Sequence, residues 1–103
     1  MTGSELIAGY RERAVLWQGM VLLPRPVALA FLEDCERNEV RLLGVDAFRA
    51  PVGGTNAGPV EDALDLSGKA FWDYSVAELC ELLREFIEGL QGDERLFEFV
   101  ADD

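Results

Sequence analysis

An aspartate stands at position 46, inside the largely apolar run from Val40 to Phe48 and two residues after Gly44. A carboxylate in such a run must reach a strand end or acquire a buried partner, because an unpaired buried charge is costly. In a chemical role Asp46 would be a general base working with a second carboxylate, or a contact for a cationic ligand. In a structural role it would pair with Arg49 or with backbone donors of the following loop. Ion pairs perturb carboxylates as readily as active sites do.

Glu61, Asp62, Asp65 and Asp73 form a second acidic group, in the loop-rich stretch from Arg49 to Tyr74. Two such carboxylates brought together can bind Mg²⁺ or Ca²⁺, or act as the acid and base of glycoside hydrolysis. Their spacing does not match the Ca²⁺ loop D-x-[DN]-x-[DN]-G, so a solvated acidic loop is the simpler reading. Gly53-Gly54 and Gly58 are followed by neither Lys nor a helix start, so they read as turns, not as a phosphate cradle. Cys35 and Cys80 each fall in an amphipathic helical pattern, which predicts buried thiols in place of a disulfide. With no histidine and no close cysteine pair, a structural zinc site is not expected. The expectation is a protein without metal, cofactor or catalytic residues.

Phe71, Trp72 and Tyr74 precede the clearest helix of the chain. They read either as a staple over the core or as aromatic anchors for a partner. Acidic residues steer and align a basic protein, while a few aromatics supply most of the affinity. On that logic Asp62, Asp65, Trp72, Asp73 and Tyr74 are the candidate partner-binding residues.

The distribution of charge supports a cationic partner. Residues 59–103 carry thirteen acidic side chains against three basic ones, and residues 1–58 carry seven against six. Nearly all of the net charge of −11 therefore lies in one half of the chain. Such a surface repels phosphate and anionic lipid, which argues against nucleic acid and membrane partners. A hydrophobic content of 50% nevertheless supplies a core that acidic disordered tails lack.

At 103 residues the chain reads as one domain, 1–103, of the α+β class, with about three helices packed on a two- or three-stranded sheet. Ser4 is read as the cap of a first helix with Leu6, Ile7, Tyr10, Ala14 and Trp17 on one face. The prolines at 24 and 26 interrupt helix, and a second helix starts there and runs to about Asn38. Val40 to Phe48 reads as a buried strand, with Leu43, Val45 and Ala47 on one side and Leu42, Gly44, Asp46 and Phe48 on the other. Val60, Leu64 and Leu66 suggest a short edge strand. Ser75-Val76-Ala77-Glu78 is a capping box, whose serine contributes about 1 kcal/mol in typical helices. Val76, Leu79, Cys80, Leu83, Phe86, Ile87 and Leu90 follow as an apolar stripe, opposite Glu78, Glu81, Glu85 and Glu88. Leu96 to Ala101 reads as a last strand, parallel to the first through a crossover.

The segment from Ala28 to Phe48, with A-L-x-F-L-x-x-C followed by L-L-G-x-D-x-F, resembles a helix–strand pattern of small bacterial immunity proteins of polymorphic toxin systems. The resemblance covers about a fifth of the chain and carries over no individual binding residue. It implies a cytoplasmic, non-catalytic inhibitor that binds and neutralises a cognate toxin, which the charge distribution expects to be basic. No run of roughly 20 apolar residues and no basic-then-apolar leader pattern is seen, in keeping with that location. Two other classes compete with it. One is a small accessory or regulatory domain that self-associates, as a homodimer, through a strand edge; the other is a small enzyme using Asp46.

Overall fold

A computed structural model describes residues 1–49, 60–92 and 95–102, and of Val60 only the backbone. The glycine-rich stretch from Gly53 to Pro59 lies outside the described residues. Thr2 and Glu5 open the first helix, α1, Gly3–Ala8. Thr2 Oγ1 accepts the Glu5 N–H at 3.1 Å, and Glu5 Oε1 accepts the Thr2 N–H at 3.0 Å. This reciprocal cap satisfies two amides that a helix start otherwise leaves open.

The longer helix capped by Ser4 is therefore corrected. Gly9 closes α1, a 3₁₀ turn follows at Arg11–Arg13, and Val15–Trp17 is strand β1. β1 pairs antiparallel with β2, Met20–Pro24, across Gln18 and Gly19, whose φ angles are 48° and 79°. Positive φ at both central residues gives a tight turn whose twist matches paired strands. Pairing with Met20 to Leu22 has overridden the helical spacing of Ala14 and Trp17.

The sheet has five strands in the order β1-β2-β5-β3-β4, where β3 is Leu42–Arg49, β4 Val60–Asp65 and β5 Arg95–Ala101. Helices α2, Arg25–Arg37, and α3, Val76–Gly89, complete the fold. The α+β class with three helices packed on a sheet stands, and the β1–β2 hairpin accounts for the two strands beyond the expected three. The expected parallel pairing is overturned: β3 and β5 are antiparallel, with Leu42 opposite Ala101 and Arg49 opposite Arg95. β4 reverses the chain before α3, so the crossover joins β4 to β5 on either side of β3. In the same way α2 joins β2 to β3 across β5.

Both long helices cover one face. Phe31, Leu32 and Cys35 of α2 meet Leu79, Cys80, Leu83 and Ile87 of α3 over Val45, Ala47 and Phe97. The three remaining members of the expected α3 stripe, Val76, Phe86 and Leu90, pack at its margin and are only partly buried. Cys35 and Cys80 are free and buried, and burial pushes their thiols up to about 12 and about 11. Tyr10 ties the N-terminal segment to α2: its ring meets Phe31 edge-on at 5.3 Å, and its hydroxyl donates to the Asp34 carboxylate.

The second face carries a smaller cluster of Leu22, Phe48 and Leu96, flanked by Trp17 and Met20, with no helix residue in it. A β-bulge decides which residues of β3 reach each face. Leu42 is opposite Ala101 and Gly44 opposite Val100, so Leu43 is the extra residue. Leu42 consequently joins Val45 and Ala47 in the helix-covered core, where strict alternation would have put it beside Asp46. At Gly44 a Cβ would lie 2.6 Å from the Leu64 carbonyl oxygen. Glycine is needed there for β4 to approach β3.

Candidate protein-interaction surface

The loop between β4 and α3 is held from below by one side chain. Arg41 donates to the carbonyls of Tyr74 and Phe71, each at 2.8 Å, and to that of Trp72 at 3.5 Å. At the loop's end, Ser75 Oγ accepts the Glu78 N–H at 3.1 Å, and Glu78 Oε1 accepts the Ser75 N–H at 3.0 Å. The Ser75 backbone N–H, and after it the Ser75 hydroxyl, lower the Glu78 carboxyl below its ordinary value. Phe71 and Tyr74 meet edge-on at 5.3 Å and pack against the core. Trp72, between them, points outward and is 65% exposed.

Trp72 is nevertheless fixed in place. Its indole N–H donates to the Ser67 carbonyl at 3.3 Å, and Lys69 Nζ lies 6.0 Å from its ring centre. Ser67 in turn donates from Oγ and N to Asp65 Oδ1, at 2.5 and 2.9 Å. The hydroxyl bond, then the amide bond, hold the Asp65 carboxyl below its ordinary range. Asp65 is thus an ionised, oriented carboxylate two bonds from an exposed indole.

The five residues selected from the sequence do not stay together. Asp65, Trp72 and Asp73 are exposed on and beside this loop. Asp62 is drawn away by Arg95, at 3.1 Å, whose guanidinium also reaches Glu61 at 3.4 Å. Tyr74 turns its ring to the core, and its carbonyl accepts from Arg41. Asp62 and Asp65 diverge because residues three apart on a strand face opposite ways. Glu61 is the extra residue of a bulge between the pairs Ala47–Asp62 and Phe48–Val60, and it takes the guanidinium of Arg49 at 3.2 Å. The pairing of Arg49 with Asp46 is thereby corrected.

Asp46 instead faces Glu98 of β5 on the face of the sheet away from α2 and α3. Among the described residues neither carboxylate has an ion pair. Burial, and after it the charge of Asp46, raise the Glu98 carboxyl above its ordinary 4.5. Asp46 also lines a depression of about 270 Å³ with Gly44, Asp65, Ser67 and Val100. This depression and the Trp72–Ser67 bond connect Asp46 to the Trp72 loop. Glu98 and Arg41 were not singled out from sequence. Glu98 had a visible signal in the alternation Phe97-Glu98-Phe99, but its partner depends on register. Arg41 had none beyond being a charge beside Leu42.

Glu78, Glu81, Glu85 and Glu88 are exposed on the outer side of α3, and Arg84 neutralises only Glu81, at 2.9 Å. Among the described residues no group of three or more potential ligands is placed to hold a metal ion. No helix among them is long and apolar enough to cross a membrane. No protein-family model, no curated protein and no solved structure matches this chain.

Proposed function

We propose that this chain is a protein-binding module that captures a basic partner, in the manner of an immunity-type inhibitor blocking a cognate toxin. Asp65, Trp72 and Asp73 form the centre of its contact surface. The observation that carries this reading is an indole 65% exposed on a loop whose carbonyls are held by Arg41. A fixed, exposed tryptophan buries much area at small entropic cost, and such residues dominate binding energy. The surrounding acidity speeds encounter with a cationic surface and orients it. Inhibition by such a module is occlusion: the bound domain covers the toxin's working surface and performs no reaction. The resemblance of residues 28–48 to immunity proteins supports the toxin as the class of partner.

The test is co-purification from the native host with the wild-type chain and with a D65N/D73N/W72A variant. A basic protein retained by the first and lost by the second supports the reading. An acidic partner, or equal retention by both, contradicts it.

Self-association is favoured by a separate observation. β1 is the outer strand of the sheet, and its Leu16 is 52% exposed on the half of the chain whose acids and bases nearly balance. A short apolar edge of this kind can pair with a second copy. Sedimentation equilibrium of wild type and Leu16→Lys decides it: a dimer lost on substitution supports this reading, and a monomer at all concentrations removes it.

A further inference from the structure

Among the described residues, no strand pairs with β5 on its β2 side beyond Phe97. β2 pairs with β5 only through Leu23 with Phe97 and Pro24 with Leu96. Along Glu98 to Ala101, β5 has a strand partner only on its β3 side among the described residues. A strand bonded on one side leaves alternate N–H and C=O groups pointing outward, a template for another extended chain. Beside this edge is a recess of about 300 Å³, lined in part by Ile7, Phe31, Leu42 and Phe99. On the opposite face of the same edge stands the Glu98 and Asp46 pair, with Val100, 48% exposed, next along the strand.

We propose that β5 receives an extended segment of the basic partner by strand addition along residues 98–101, with a basic side chain at Glu98 and Asp46 and an apolar one in the recess. This rests on the reading of the chain as a module for a basic partner and adds the mode of binding. Successive side chains of a strand alternate between faces. The segment residue across from Glu98 therefore projects beside that carboxylate, with Asp46 one strand further along the same face, and the next, across from Phe99, projects toward the recess. The preferred segment alternates basic and apolar residues. A guanidinium that reaches Glu98 offsets the like-charge repulsion that the free protein carries, so the occupant is chosen by charge as well as by backbone pairing. A second copy is the poorer occupant. Joining two β5 edges would bring two such carboxylate pairs together on chains of charge −11, and like charges so placed repel. A helix is poorer still, because its backbone groups are already bonded to one another.

The experiment is an amide-resolved NMR titration of the full chain at about 0.15 M salt, where long-range attraction is screened. The probes are a six-residue peptide alternating arginine and valine, and its fully N-methylated analogue of equal charge. The expected result is perturbation and exchange protection at residues 98–101, binding at least about tenfold tighter for the unmodified peptide, and a comparable loss in Glu98→Gln. Because Glu98→Gln removes a like-charge contact, a thermal melt at or above wild type will show that its loss of binding is not loss of fold. Equal binding of the two peptides, or no binding at millimolar concentration, overturns strand addition. Perturbation confined to the Trp72 loop also overturns it, while leaving the basic-partner reading in place. Concentration-dependent protection of the same amides without peptide would assign the edge to a second copy and overturn the proposal.

Discussion

Asp46 and Glu98 are opposed across the β3–β5 pair, two carboxylates on one face of the sheet. Cross-strand like charges destabilise a sheet. The repulsion is retained here beside Val100, 48% exposed on the same face, which gives this face both a charge preference and apolar area to offer a partner.

Glu98→Gln should raise the melting temperature near neutral pH. The sign follows from the direction of the shift. Burial first and Asp46 second raise the Glu98 carboxyl above 4.5, so the folded state holds its proton more tightly than the unfolded state. That contribution to stability is complete below the unfolded value and is lost as pH rises through the folded one. The gain from glutamine should therefore grow with pH above about 4.5 and shrink below it. Melts across this range check the trend, and a variant less stable at pH 7 would show that the Glu98 carboxylate has a favourable partner.

Leu83→Ala should cost about 2 to 5 kcal/mol, since Leu83 is wholly buried between the helices and the sheet. Phe86→Ala should cost less, about 1 to 2 kcal/mol, because Phe86 lies at the margin of the same core. Chemical denaturation of both variants gives the order. Equal losses would place Phe86 deeper than its packing indicates.

Arg41→Ala should loosen the Trp72 loop and cost about 1 to 3 kcal/mol, the usual range when charged donors are removed from partly buried carbonyls. In a Trp17→Phe background, the fluorescence anisotropy of Trp72 should fall along with it. Unchanged anisotropy would mean that the indole is held by Ser67 alone.

Much of the fold was legible because it follows local rules. The Ser75 cap and the α3 stripe have the period of a helix, and Pro24 and Pro26 mark where α2 begins. The hairpin was hidden, since Gln18-Gly19 is a weaker turn signal than Asn-Gly and Leu6 to Trp17 can be read with helical spacing. The strand directions were hidden too, because only pairing shows that β4 reverses the chain before α3. In the candidate surface Trp72 was legible as an aromatic in an acidic context. The inward turn of Asp62 toward Arg95 depends on strand phase and on a bulge at Glu61, neither of which composition reveals.

The most direct test of a steered, tryptophan-anchored interface is the association rate of the recovered partner as a function of salt. Between about 0.01 M and 0.15 M the Debye length falls from about 30 Å to about 8 Å. Association should slow markedly over this range, while dissociation changes little. Neutralising Asp65 and Asp73 should reproduce the slowing at low salt, whereas Trp72→Ala should speed dissociation and leave the salt dependence intact. An association rate indifferent to salt and to both aspartates, with dissociation unmoved by Trp72→Ala, would contradict the account.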